Sequence, residues 1–194
     1  MRDYIKGQIQ KSQKSLSAML ADHALLARVE AAAESCITAL NNSGKILLAG
    51  NGGSAADAQH IAGEFVGRFA FDRPSLPAIA LTTDTSILTA IGNDYGYDML
   101  FVRQVQAHAR KGDVFICYST SGQSPSVISA LQEAKKRGVV CIGMTGNRGG
   151  PMQESCDHYL DVPSSETPTI QEGHAVLGHI MCGLVERAIF GVPA

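Results

Sequence analysis

Apolar positions along the chain follow two different patterns, and the change comes at Lys45. Before it, Ile5, Ile9, Leu16, Met19 and Leu20 recur at helical spacing and predict a helix over residues 2–20. Leu25, Leu26, Val29, Ala33, Cys36, Ile37 and Leu40 predict a second helix running to about Asn42. Asp22 is placed to cap its start, and Asn41-Asn42-Ser43-Gly44 to stop it. Both stripes point to packing or subunit association rather than chemistry. After Lys45, short apolar runs alternate with helical stretches. Strands are expected at residues 46–49, 78–81, 114–118, 139–144 and 159–162. Helices are expected at 54–69, 84–91, 97–109, 124–137 and 169–190, with a short one after Pro151 and a loop over 146–150.

Five short apolar strands separated by helices imply a parallel sheet with both faces covered. Right-handed crossovers make it a doubly wound, three-layer αβα sandwich of the α/β class, preceded by two helices. No repeat or linker marks a second unit. A single domain over 1–194 is expected, with 1–43 as packing or oligomerisation helices and 44–194 as the sandwich. Ligands of such sheets bind at the carboxyl ends of the strands. The loops after Ala49, Leu81, Tyr118 and Met144 should therefore share one edge.

Composition narrows the function classes. Only 18% of residues are charged, against an average of about 25%, which suggests surface buried between subunits. The net charge is −2 with no basic block, so binding of nucleic acid by bulk electrostatics is not expected. The five cysteines are widely spaced and form no CxxC, as suits reduced thiols in a cytoplasmic protein. Residues 1–6 lack the apolar core of a signal peptide. No apolar run approaches the roughly 18 residues of a membrane span.

Chemistry concentrates at three places. Leu47-Leu48-Ala49-Gly50-Asn51-Gly52-Gly53-Ser54 reads as a strand, a glycine-rich turn and a helix start, which presents N–H groups to an anion. Ser119-Thr120-Ser121-Gly122-Gln123-Ser124 repeats that arrangement with four hydroxyls and no Walker lysine. More hydroxyls meet there than a helix cap needs, so the stretch reads as a phosphate cradle. Gly50-x-Gly52-x-x-Ala55 partly fits a dinucleotide fingerprint, but the acidic partner is missing: Asp72 precedes the second strand and Asp84 comes too late. Third, Asp57, His60 and Glu64 share one helix face, and Gln171, His174 and His179 lie on the last helix. A carboxylate and a histidine suit proton transfer near neutral pH. Two histidines, a carboxylate and an amide oxygen could instead hold a divalent metal such as zinc. His23, His108 and His158 read as surface or core residues, and His174 stays undecided.

With these residues in view, the chain resembles the sugar isomerase (SIS) domain proteins, and most closely the bacterial phosphoheptose isomerases. The resemblance rests on Leu48 through His60, Gly63-Glu64-Phe65, Arg73-Pro74 with Leu76-Pro77-Ala78, and Ala90-Ile91-Gly92-Asn93-Asp94-Tyr95-Gly96. It continues in Ser119 through Ser124 and in Ile170-Gln171-Glu172-Gly173-His174 with His179. It implies a flavodoxin-like SIS fold and an aldose–ketose isomerase. Its reaction would convert sedoheptulose 7-phosphate to D-glycero-D-manno-heptose 7-phosphate, the first step toward ADP- or GDP-heptose for lipopolysaccharide or capsule. It implies a homotetramer with sites between subunits. Ser119, Thr120, Ser121 and Ser124 would hold the phosphate. Asn51, Gly52, Gly53, Ser54, Asn93, Asp94 and Gln171 would complete the sugar site, with Glu64 and His179 as the acid–base pair. His60, Glu64, Gln171 and His179 match zinc ligands, one ion per subunit. The family pattern varies just before Ile170, where this chain has Thr167-Pro168-Thr169. The DnaA initiator-associating proteins, which are regulators, share the fold but depart at the positions of Gly53, Glu64 and His179, all kept here. A sugar-phosphate sensor is the other non-catalytic alternative.

Overall fold

The computed structural model describes residues 1–147 and 149–191. Arg148, within the loop expected over 146–150, lies outside the described residues. Two helices, α1 (Arg2–Ala21) and α2 (His23–Asn41), precede the sheet. Asp22 separates them and caps the second, its carboxylate accepting the Leu25 N–H at 2.9 Å.

Five strands follow: β1 (Ile46–Gly50), β2 (Ala78–Ala80), β3 (Val114–Ser119), β4 (Val140–Gly146) and β5 (His158–Val162). All neighbours pair in parallel, in the order β2-β1-β3-β4-β5. Every residue of β1 and β3 is buried, as central strands covered on both faces require. Ile46, Leu48, Val114, Ile116, Ile142 and Met144 point into one core. Leu47, Ala49, Phe115, Cys117 and Cys141, offset by one residue, point into the other. The first core is closed by α2, α3 (Gly53–Val66) and α8 (Thr167–Phe190). The second is closed by α5 (Leu100–His108) and α6 (Pro125–Lys136), with α4 (Thr85–Tyr95) and α7 (Pro151–Glu154) beside them. The three-layer sandwich behind two leading helices is therefore the observed architecture.

Several boundaries differ from the sequence expectation. The helix expected to reach residue 69 stops at Val66, and the chain bends away at Gly67. Apolar Phe65 and Val66 lie in its last turn, and Phe69 continues the apolar stripe but has left the helix. The helix expected to end at 91 instead runs to Tyr95, so Asn93 and Asp94 occupy its last turn. A 3₁₀ turn, Tyr97–Met99, precedes α5.

The leading helices differ in how they are held. Arg28 of α2 reaches the Tyr159 carbonyl at 2.9 Å and Asp161 at 2.7 Å, tying that helix to β5. Ser35 bonds His158 at 2.8 Å. Of the α1 stripe only Met19 is buried; Ile9 is 64% exposed and Leu20 74%. An apolar stripe that uncovered lies on the surface rather than in the core.

All five thiols are free, and four are fully enclosed. Burial pushes Cys36, Cys141 and Cys156 up to about 12, the last two with help from the Asp157 carboxylate.

His174 faces inward from α8, fully buried, with its ring 5.7 Å from that of Tyr118. Neither ring nitrogen has a hydrogen-bond partner of good geometry among the described residues. Burial lowers its pKa from 6.5 to about 4, against a weaker upward pull from the Thr145 backbone. His174 is thus a neutral core residue. The unfolded chain takes up this proton from pH 6.5 downward, and the folded chain only near pH 4. Stability should therefore fall across that window as the pH drops, by about 3 kcal/mol in total from this group. In urea titrations His174→Leu should decline less steeply between those pH values than the parent chain; equal slopes would refute the assignment.

Candidate functional site

The site is built where α3 and α8 converge on the carboxyl edge of β1 and β3. β1 ends at Gly50, and its continuation turns through Gly52, whose φ of 58° lies in the left-handed region. α3 begins immediately at Gly53. Gly50 cannot carry a side chain, because a Cβ there would lie 2.5 Å from the Ser54 carbonyl oxygen. β3 ends at Ser119 and turns through Gly122 before α6 opens at Pro125. Two helix N-termini thus face one cavity of about 310 Å³, lined by Asn51, Gly53, Ser54, Gln171 and the hydroxyls of Ser119 through Ser124. Orphan N–H groups and hydroxyls pointing into one space make a cradle for an anion.

Asn51 joins the two loops. Its amide donates to Ser124 Oγ at 2.9 Å and to Ser126 Oγ at 3.0 Å. Its carbonyl accepts the Tyr97 hydroxyl at 2.9 Å. Ser126 and Tyr97 were not singled out in the sequence; Tyr97 directly follows the Asn93-Asp94-Tyr95-Gly96 stretch and would have been reachable from it. Asn93 and Asp94 bond each other at 2.7 Å on the exposed end of α4. Tyr97 is the link between that end of the chain and the cradle.

The second cluster lies further along the same two helices. His60 is seven residues past Gly53, about 10 Å of helix. His60 Nε2 lies 3.1 Å from Glu64 Oε1 and 3.3 Å from His179 Nε2. The ligand atoms of all three side chains fall within 4.8 Å of one another. Glu64 reaches His60 because the two are four apart on α3. His179 reaches both because α8 crosses α3 closely at Gly178, where a Cβ would stand 2.6 Å from Ile61 Cδ1. Behind His179 the Phe69 ring stacks at 5.6 Å, with planes 28° apart. Asp57, one turn before His60, has a buried Oδ2 without a partner among the described residues. Burial raises its pKa, partly offset by His60.

Three converging donors can serve chemistry of two kinds: proton relay, or capture of a divalent cation. Tetrahedral ligands at zinc-like bond lengths are spaced ~3.3 Å apart, close to the observed separations of 3.1 and 3.3 Å. Gln171 sits at the other end of the site. It is eight residues before His179, about 12 Å of helix, and a Cβ on Gly53 would collide with its amide. Gly53 thus makes room for Gln171 at the mouth of the cradle. His60, Glu64 and His179 are partly exposed, and a shallow groove lined by Phe69, Ala70, Ile180, Leu184 and Arg187 opens beside His179. Among the described residues no helix is long and apolar enough to cross a membrane.

The chain is similar to known proteins. The SIS domain family model matches residues 9–146. A phosphoheptose isomerase of Burkholderia pseudomallei (strain 1710b) is 67% identical over 188 residues, covering 97% of this chain and 95% of the relative. One from Aneurinibacillus thermoaerophilus is 60% identical over 190 residues, covering 98% and 96%. The solved phosphoheptose isomerase GmhA of Neisseria gonorrhoeae superposes with a TM-score of 0.89 at 42% identity, covering 95% of this chain and 98% of that one. The hydroxyl cradle, the glycine turn and the His60–Glu64–His179 cluster therefore stand in a chain that belongs to the SIS domain family and, within it, to the phosphoheptose isomerases.

Proposed function

We propose that this isomerase interconverts sedoheptulose 7-phosphate and D-glycero-D-manno-heptose 7-phosphate, supplying the first step toward ADP- or GDP-heptose. The observation that carries the reading is the pairing, on two shared helices, of an anion cradle with a carboxylate and two imidazoles about 10 Å away. That spacing suits an opened sugar chain with its phosphate at one end and its carbonyl at the other. Ser119, Thr120, Ser121 and Ser124 clamp the phosphate, and Asn51, Gly52, Gly53, Ser54, Asn93, Asp94 and Gln171 contact or frame the sugar. Binding at the unreactive phosphate end aligns the reacting carbons.

The reaction moves one proton from C1 to C2. Glu64 takes the proton from C1, and the C–H electron pair forms the C1=C2 bond of a cis-enediol. His179 gives a proton to the carbonyl oxygen on C2. The hydroxyl on C1 then loses its proton to His179, and protonated Glu64 returns its own to C2. Atoms and charges balance, and both groups end as they began. His60 lies within hydrogen-bond reach of Glu64, at 3.1 Å, and 3.3 Å from His179.

Zinc fits the same cluster. His60, Glu64 and His179 would hold it; Gln171, which the resemblance implies as a fourth ligand, lies instead against Gly53 at the mouth of the cradle. When bound, the ion would polarise the two reacting oxygens and stabilise enediolate charge. The uncovered stripe of Ile5, Ile9, Leu16 and Leu20, with Ile180 and Leu184 beside the catalytic groups, supports a homotetramer in which neighbouring subunits close the sites. Closure would exclude water from the enediol. A cytoplasmic location follows from this chemistry, since sugar phosphates are held inside the cell.

Turnover of sedoheptulose 7-phosphate, followed by NMR of the aldose phosphate, tests the assignment. Glu64→Gln and His179→Ala should each lower kcat by about 10²–10⁴-fold with substrate still bound. Ser121→Ala should raise KM about tenfold with kcat nearly kept. Saturable binding without any turnover in the parent chain would make the protein a sugar-phosphate binder instead. A chelator should reduce the rate and zinc restore it; an unchanged rate after verified metal removal would exclude a role for the ion. Ile5→Lys with Ile9→Lys should shift the mass measured by light scattering toward smaller species, and an unshifted tetramer would remove α1 from the interface.

A further inference from the structure

Arg73 and Glu186 form an ion pair that the reaction does not use. Their side chains are 2% and 1% exposed, and Arg73 Nε lies 3.0 Å from Glu186 Oε1. The guanidinium also donates to the carbonyls of Glu64 at 2.8 Å and Phe65 at 2.7 Å. Longer contacts reach Gly67 at 3.3 Å and Pro74 at 3.0 Å. It thereby collects carbonyls of the last turn of α3, of which that of Phe65 also accepts the Leu76 N–H at 3.1 Å, and a cation there meets the negative end of the helix dipole. Glu186 accepts the N–H groups of Phe69 at 2.9 Å and Ala70 at 2.8 Å. Burial alone would raise the pKa of Glu186, but the Ala70 and Phe69 amides and the Arg73 guanidinium outweigh it and hold the carboxylate low.

A buried ion pair is weak evidence for stability as such, because packed apolar residues of equal volume often serve as well. What distinguishes this one is where its bonds end. One holds the backbone of Glu64 itself. Another holds the backbone of Phe69, whose ring backs the imidazole of His179. Glu186 lies seven residues from His179 on α8, two turns along nearly the same face. The pair therefore touches both helices that carry the reacting groups, at the point where the chain bends between Gly67 and Arg73.

We propose that Arg73 and Glu186 are positioning residues: together they set the placement of Glu64 and the orientation of His179 through Phe69. The proposal rests on the acid–base roles assigned above to Glu64 and His179. Without the pair, the bend relaxes, Phe69 slides from His179, and the two groups lose their common target. The phosphate cradle, at the other end of α3 and α8, stays as it is.

The test uses the full chain with Arg73→Met and Glu186→Leu combined, which removes both charges at similar volume and leaves neither buried alone. Measured together are kcat and KM for sedoheptulose 7-phosphate, the thermal midpoint, and the imidazole resonances of His179 in ¹⁵N-labelled protein. The expected result is a folded protein with KM within about twofold and kcat reduced about 10- to 100-fold, since small misplacements carry losses of that size. The His179 resonances should shift or broaden. Unchanged kcat and unchanged His179 resonances, whatever the thermal midpoint, would overturn the proposal and leave a purely structural ion pair. If the double variant does not fold, Arg73→Lys decides, because lysine keeps the charge but cannot reach Glu186 and the α3 carbonyls together. The same loss of kcat at constant KM supports positioning, and parent-like kcat refutes it. A parent chain without turnover would sink the isomerase reading separately, while the His179 resonances would still report whether the pair orients that ring.

Discussion

The arrangement depends on how closely α8 lies against α3. Gly178 leaves no side chain between the helices, and Ile61 fills the space that a Cβ would occupy. That contact brings His179 to within 3.3 Å of His60. A methyl group at Gly178 would have to push the helices apart or force Ile61 from its rotamer. Two turns earlier, Gly53 makes the same allowance for Gln171. Both ends of the site are thus set by glycines where α3 and α8 meet, and the His60–Glu64–His179 cluster inherits its spacing from backbone proximity.

The sheet supplies the other coordinate. In the order β2-β1-β3-β4-β5 the chain reverses direction of growth between β1 and β3. Loops leaving those two strands diverge to opposite faces and open a crevice between them. The glycine turn after β1 and the hydroxyl loop after β3 both fall into it. Asn51 spans the crevice, bonding Ser124 and Ser126 on one side and Tyr97 on the other. The cradle is therefore shaped before any ligand enters, which lowers the ordering entropy that binding must overcome.

Much of this was legible in the sequence because it is local. The apolar runs of β1 and β3, the Asp22 cap, the glycine turn and the hydroxyl run each lie within a few residues and have a direct structural reading. His60 and Glu64 were legible for the same reason, being one helical turn apart. The end of α3 was not. Its apolar stripe runs on to Phe69, and what ends the helix is a bend stabilised by Arg73 and by Glu186, the latter more than a hundred residues away. Pattern reading has no access to a bond between such distant partners. His174 was undecidable on similar grounds, since its sequence neighbours suit a site and only tertiary burial removes it from one. Tyr97 was passed over because its tie to Asn51 likewise spans separate elements.

The thiols carry a consequence of another kind. With Cys36, Cys141 and Cys156 raised to about 12, only about one in 10⁵ of each would be thiolate at neutral pH. Oxidants and electrophiles react with the thiolate, so these positions offer them almost no target. Cys117 and Cys182 are likewise pushed well up, chiefly by burial. The cysteines are in this way poorly suited to act as redox sensors or to form a cross-link while the fold is intact.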